Sequence, residues 1–94
     1  MNLHTACHQN DLKKAKELIE NGADINKVDK EGRTPLFISC SKGHLEVVKL
    51  LIEKGVNINK ADNYGVTPLS IASSNGHLDV VTCLIENGAS DEVN

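Results

Sequence analysis

Three side chains near the N-terminus, His4, Cys7 and His8, stand at the i, i+3, i+4 spacing. On a helix that spacing gathers two imidazoles and a thiol on one face, a donor set that can hold zinc. His44 and His77 each follow a glycine and offer the imidazole that acid–base catalysis uses. Both, however, occupy the same place in two similar stretches 33 residues apart, a recurrence that a loop conformation requires and a reaction does not. The Thr34-Pro35 and Thr67-Pro68 steps have the form of phosphorylation sites, but Thr before Pro is also the chemistry of a helix N-cap. No Gly-rich phosphate loop, no paired carboxylates in an apolar setting and no Ser/His/Asp arrangement accompanies them. Glu17, Glu20, Glu53 and Glu86 read as a solvated helix surface. The expectation is a chain without catalysis, cofactor or metal.

The elements that carry these residues repeat. Thr34-Pro35-Leu36 returns 33 residues later as Thr67-Pro68-Leu69, and the same step links Gly43-His44-Leu45 to Gly76-His77-Leu78. It also links Leu51-Ile52 to Leu84-Ile85 and, run backwards, to Leu18-Ile19. A fixed period of this size marks stacked supersecondary units, each too small to bury its own apolar face. In the unit 29–61, Asp29 and Gly32 are placed for a turn. Thr34 is placed to cap a short helix through about Ser41, and Gly43 to stop it. Leu45, Val48, Leu51 and Ile52 give a second helix a wide apolar stripe that ends at Gly55. Val56 to Ala61 then reads as an extended return strand. The expected class is all-α: one domain, 1–94, a solenoid of helix–turn–helix units joined by β-hairpin-like turns, with repeats 1–28, 29–61 and 62–94.

Phe37 and Tyr64 are the only aromatic residues, so the core must come from aliphatic side chains between repeats. A formal charge of −3 with interspersed signs lacks the basic footprint of a nucleic-acid binder. No stretch is apolar enough to span a bilayer, and the first residues lack the layout of a signal peptide. Cys7 and Cys40 share one repeat position, with Ser73 in the third copy, and Cys83 stands apart. That usage points to reduced structural thiols and an intracellular setting, cytoplasmic or nuclear.

Residues 29–59, from Asp29-Lys30-Glu31-Gly32 through Thr34-Pro35-Leu36, Gly43-His44 and Val47-Val48 to Gly55, resemble the ankyrin repeat; 62–89 do so nearly as well. Residues 2–26 match from Leu3-His4 to Gly22-Ala23-Asp24-Ile25-Asn26. The resemblance implies an ankyrin-repeat solenoid that grips other proteins along one concave strip. It makes His4 a structural histidine, Cys7 a buried small site and His8 an exposed helix end. The His after Thr-Pro-Leu is replaced by Phe37 and Ser70, which removes that residue's usual inter-repeat hydrogen bonds from the second and third copies. The resemblance also makes Asn26, and less closely Asn59, candidates for asparaginyl hydroxylation.

The ends differ. Where the later copies have Ile38, Val47 and Leu50, or Ile71, Val80 and Cys83, the first has Thr5, Lys14 and Glu17, as suits an N-terminal cap with no predecessor. The C-terminal end keeps Leu84 and Ile85, leaving open a weakly capped module, a fragment of a longer array, or a weak homodimer through that face. Positions that vary between copies mark the expected protein-binding strip. They are His8 and Gln9 in the first repeat, and Val28, Lys30, Glu31, Arg33, Ser41 and Lys42 in or beside the second. From the third come Asn63, Tyr64, Val66, Ser74 and Asn75, joined by Ala61. Lys30, Arg33 and Lys42 make the second repeat locally basic, with Glu31 interrupting. Tyr64 is the expected anchor for a protein partner. The competing reading is a structural spacer within a longer solenoid.

Overall fold

Every helix start but two is closed by a side chain. Thr34 Oγ1 accepts the Phe37 N–H at 3.0 Å, and Thr67 Oγ1 accepts the Ser70 N–H at 3.0 Å, each with proline at the first helical position. In the first copy the cap is Asn2, whose Oδ1 accepts the Thr5 N–H at 2.9 Å, and Asp11 Oδ1 takes the Lys14 N–H at 3.0 Å. The computed structural model describes residues 1–90, so the last four positions of the expected third repeat lie outside the described residues. Among the described residues six helices result: α1 (Leu3–His8), α2 (Leu12–Glu20), α3 (Pro35–Lys42), α4 (Leu45–Glu53), α5 (Pro68–Ser74) and α6 (Leu78–Glu86). Their main contacts run within hairpins or between adjacent ones: α1 on α3, α3 on α5, α2 on α4 and α4 on α6. This is an all-α solenoid, whose core is a run of shared faces.

Burial assigns each position to a neighbour. Val47 and Val80 are fully buried and Leu50 and Cys83 nearly so, whereas Lys14 and Glu17 at the same places in the first repeat reach solvent. Those positions therefore face the preceding repeat, and the first repeat carries polar side chains there. Ile38 departs from that expectation. It is half-buried, as are Thr5 and Ile71 in the other copies, and it borders a surface hollow. The complementary set, Leu3, Cys7 and Ala15, and again Leu36, Cys40 and Val48, is buried in the first two repeats and opened at Leu69, Ser73 and Val81. These positions face the following repeat.

The expected return strand does not form: among the described residues the connecting segments contain no strand. Each turn is closed locally instead. Asp29 Oδ1 accepts the N–H groups of Glu31 and Arg33, both at 2.9 Å, and the Asp29 N–H donates to Arg33 O. Asp62 repeats this with Tyr64 and Val66. Neighbouring connections are tied mainly by side chains, with one backbone bond from the Asn63 N–H to Glu31 O, and not by a ladder. Asn26 Oδ1 accepts the Asn57 N–H at 2.8 Å, and Asn59 Oδ1 accepts the Ser90 N–H at 2.9 Å.

The histidines clamp repeat to repeat. His4 Nε2 donates to Arg33 O (2.9 Å), His44 Nδ1 to Cys7 O (3.0 Å) and His77 Nε2 to Ser41 O (3.0 Å). Gly43, at φ 75°, lets the His77 ring lie flat against it, and a Cβ there would stand 2.5 Å from His77 Nδ1. The first copy has Asn10 (φ 58°) in Gly43's place, and His44 turns its other nitrogen to a carbonyl one residue earlier in the repeat. An asparagine tolerates the left-handed region but brings a Cβ.

Candidate protein-binding surface

The turn tips and the C-terminal ends of the first helices form two rows along one side of the stack. Arg33 from the second turn and His8, Ser41 and Lys42 from the ends of α1 and α3 line a single open hollow, with Phe37 and Ile38 at its base. A second, shallower hollow continues past His8 and Ile38 to His4, Thr5 and Gln9. The structure thus brings four sequence-expected residues, His8, Arg33, Ser41 and Lys42, into one hollow, and Gln9 into its continuation. It also adds two that sequence reasoning missed. Phe37 stood out only as a replacement for histidine, and Ile38 had been placed against the preceding repeat.

Tyr64 sits at the tip of the third turn with 76% of its surface exposed. Its N–H is held by Asp62 Oδ1 at 2.9 Å, so an aromatic ring projects from a backbone that is already ordered. Val28 is 43% exposed at the entrance to the second turn, and Val66 is half-buried behind Tyr64. His8, Gln9, Lys30, Glu31, Lys42 and Ser74 are exposed, and Ser41 is half-buried.

Three of the expected contact residues have structural duties. Asn63 donates its N–H to Glu31 O (2.9 Å) and its amide Nδ2 to Lys30 O (3.1 Å), lying over Gly32 and tying the third turn to the second. Asn75 Nδ2 donates to Ser41 O at 2.9 Å, joining the ends of α5 and α3. The Arg33 guanidinium is paired with Asp29 (Nε to Oδ2, 3.0 Å) and Glu31 (Nη2 to Oε1, 3.0 Å). The second repeat is therefore less basic on this side than its composition suggests. Burial alone would raise the Asp29 carboxyl, but the backbone N–H groups of Arg33 and Glu31 and the Arg33 guanidinium outweigh it and hold the group below its ordinary value. The cations left on this side are Lys30 and Lys42; among the described residues neither ammonium has an ion-pair or hydrogen-bond partner.

The thiols and imidazoles are arranged for packing. Cys7 and Cys40 are fully buried and Cys83 is 8% exposed; burial pushes all three thiols up. His4 carries its proton toward Arg33 O, away from any ligand role with the buried Cys7. Among the described residues no group of three His, Cys, Asp or Glu side chains could hold a metal ion, and no helix is long and apolar enough to cross a membrane. Thr34 is fully buried, with its hydroxyl on the Phe37 N–H.

A search of curated proteins returns no match. The family model described as ankyrin repeats, in three copies, matches residues 3–94. Members of that family are in general non-catalytic modules that bind other proteins. Helical hairpins that clamp one another through histidine and asparagine, and a sequence match over almost the full length, lead to one conclusion: this chain belongs to the ankyrin-repeat family.

Proposed function

We propose that this protein is an intracellular binding module that grips one other polypeptide through the strip of turn tips and first-helix ends, and performs no catalysis. The observation that carries this reading is Tyr64: a lone, 76%-exposed aromatic side chain on a turn whose backbone is fixed by Asp62. An aromatic side chain has few rotatable bonds to immobilise on binding and buries a large area, which is why such residues dominate interfaces. The groove lined by Phe37, Ile38, His8 and Lys42 supplies an apolar base with a positive rim. The partner accordingly presents an apolar side chain to Tyr64 and a carboxylate toward Lys42. No basic patch offers nucleic acid or an anionic membrane a footprint on this side.

The test is affinity capture from lysate with the wild-type chain and a Tyr64→Ala, Lys42→Glu double variant, followed by titration of the captured protein. Truncating an anchor of this kind weakens binding by about 2 kcal/mol. Both residues are exposed, so the variant keeps the melting temperature of the parent. A partner held equally by both chains sinks the proposal.

A further inference from the structure

The hollow between the first two repeats has a counterpart one repeat along, and the two are built differently. In the counterpart Ser70 stands in Phe37's place, Val66 in Arg33's and Asn75 in Lys42's. There the Asn75 amide is committed to Ser41 O at 2.9 Å, and the Ser70 hydroxyl lies 2.9 Å from that of Thr67. Between the first two repeats the base is Phe37 and Ile38, and the exposed Lys42 ammonium has no ion-pair or hydrogen-bond partner among the described residues. This hollow measures about 290 Å³ and no carboxylate lines it. The carbonyls at this end of α3 are already engaged, Ser39 O and Cys40 O by the His44 and Gly43 N–H groups and Ser41 O by Asn75 and His77. Ser41 Oγ accepts from Asn75 Nδ2 at 3.4 Å, which leaves its O–H to donate. One hollow thus holds an apolar floor, an ammonium and a hydroxyl donor.

We propose that this hollow takes the last residue of a partner polypeptide, whose apolar side chain seats on Phe37 and Ile38 while its α-carboxylate meets the Lys42 ammonium and the Ser41 hydroxyl. The inference rests on the reading of the strip as a protein-binding surface and names what the partner brings to it. The volume lies at the low end of ligand sites, which begin at roughly 300 Å³, so it suits one residue and not a passing stretch of chain. Only a chain terminus carries an apolar side chain and a carboxylate on the same Cα. An internal acidic residue does not reproduce that pair. Successive side chains of an extended segment point to opposite faces, and the next on the same face stands roughly 7 Å further on. A phosphate brings about two negative charges to a single ammonium, because the Arg33 guanidinium beside it is already met by Asp29 and Glu31. A monoanion matches the charge that is available.

The probe is a short Gly/Ser peptide ending in leucine with a free carboxylate. It is set against the same peptide amidated at its C-terminus, and against an amidated peptide with an internal Leu-Gly-Glu. Each is titrated into the isotopically labelled full chain, and backbone amide resonances are followed. The free acid is expected to shift the signals of Phe37, Ile38 and Lys42, and to bind about tenfold more tightly than its amide. Lys42→Gln should abolish that preference, whereas Lys13→Gln, which removes an exposed ammonium from α2, should keep it. Both lysines are exposed, so neither variant should lose the fold. Equal binding of acid and amide, a preference that survives Lys42→Gln, equal binding of the internal peptide, shifts confined to other residues, or no binding at all overturns the inference. The strip is judged separately. A captured partner that the Tyr64→Ala, Lys42→Glu chain releases, but that binds undiminished with a Gly-Ser extension on its own C-terminus, keeps the strip and overturns the terminal site. Acid-specific peptide binding by a chain whose captured partner ignores the double variant keeps the terminal site and overturns the strip.

Discussion

The first and third repeats meet their surroundings with opposite chemistry although both end the described stack. The outer side of the first carries Thr5, Lys14 and Glu17, with Lys14 and Glu17 3.5 Å apart in an exposed ion pair. The outer side of the third carries Leu78 and Ile85, more than half exposed. The two faces are not equivalent positions of the repeat, however. One is the side that looks back and the other the side that looks forward. Among the described residues only the backward side is polar, and the forward side keeps its apolar side chains.

The largest effect comes from moving the cap's chemistry inward. Val47 occupies Lys14's place with no exposed surface. Val47→Lys therefore buries an unpaired ammonium and should destabilise the chain by on the order of 4 kcal/mol or more, unfolding much of it at room temperature. The reciprocal change, Lys14→Val, touches an exposed ion pair and should stay within about 0.5 kcal/mol. Urea titrations followed by helical circular dichroism measure both. Similar losses for the two would end the claim that these positions look backward.

Much of this was readable before the structure because the signals are local. A Thr-Pro step starts a helix through its own hydroxyl, and Gly43 ends one through its own φ, whatever surrounds them. The polar backward side of the first repeat was readable because lysine and glutamate at positions of Val and Leu need only a tally of polarity. Contacts across repeats were not readable, since they depend on how closely two units approach. Asn63 and Asn75 vary between copies and look free, yet each reaches a carbonyl 33 or 34 residues away in sequence. Ile38 has the same apolar character as Val47 but lies at the edge of the shared face, where part of its surface borders the groove.

A matched pair of glycines sharpens the comparison between covered and uncovered repeats. Gly43 and Gly76 share φ 75°, so alanine at either meets a left-handed strain of roughly 1–2 kcal/mol. At Gly76 a new Cβ meets nothing within 4 Å, whereas at Gly43 it collides with the His77 ring. Gly43→Ala should cost about 1 kcal/mol more, through loss of the His77 bond to Ser41 O. Equal losses in thermal melts would remove the clamp from the account.

A smaller difference separates the two aspartates of the turns. Asp29 and Asp62 accept the same pair of backbone N–H groups, but only Asp29 also meets a guanidinium, because Val66 stands where the second turn has Arg33. Asparagine keeps an acceptor oxygen and removes the charge. Asp29→Asn should lower stability at pH 7 by up to about 1 kcal/mol, and Asp62→Asn by less, since the ion pair is partly exposed. The folded-state value of Asp29 lies below its unfolded one, so its contribution is present above about pH 4 and fades as the pH falls through the folded value. The gap between wild type and Asp29→Asn should therefore narrow as the pH falls from 7 through the folded-state value. A gap unchanged between pH 7 and pH 3 would show that the carboxylate's charge is not what the turn uses.

The least perturbing change reads the forward face directly. Cys7, Cys40 and Ser73 are one repeat position, sealed under a following hairpin in the first two cases and open in the third. The native thiols are buried and held protonated, so an aromatic disulfide reagent at pH 8 should reach them only as the chain unfolds. Ser73→Cys puts a thiol of nearly the same size where solvent already reaches, and it should react as a free cysteine does while the melting temperature stays put. Fast labelling of Cys40 in the folded chain would mean that the second repeat's forward face is not sealed by the third. Slow labelling after Ser73→Cys would mean that the third repeat's face is already covered. Either result erases the contrast between an inner and an outer repeat, because the same side chain position would then report the same environment in both.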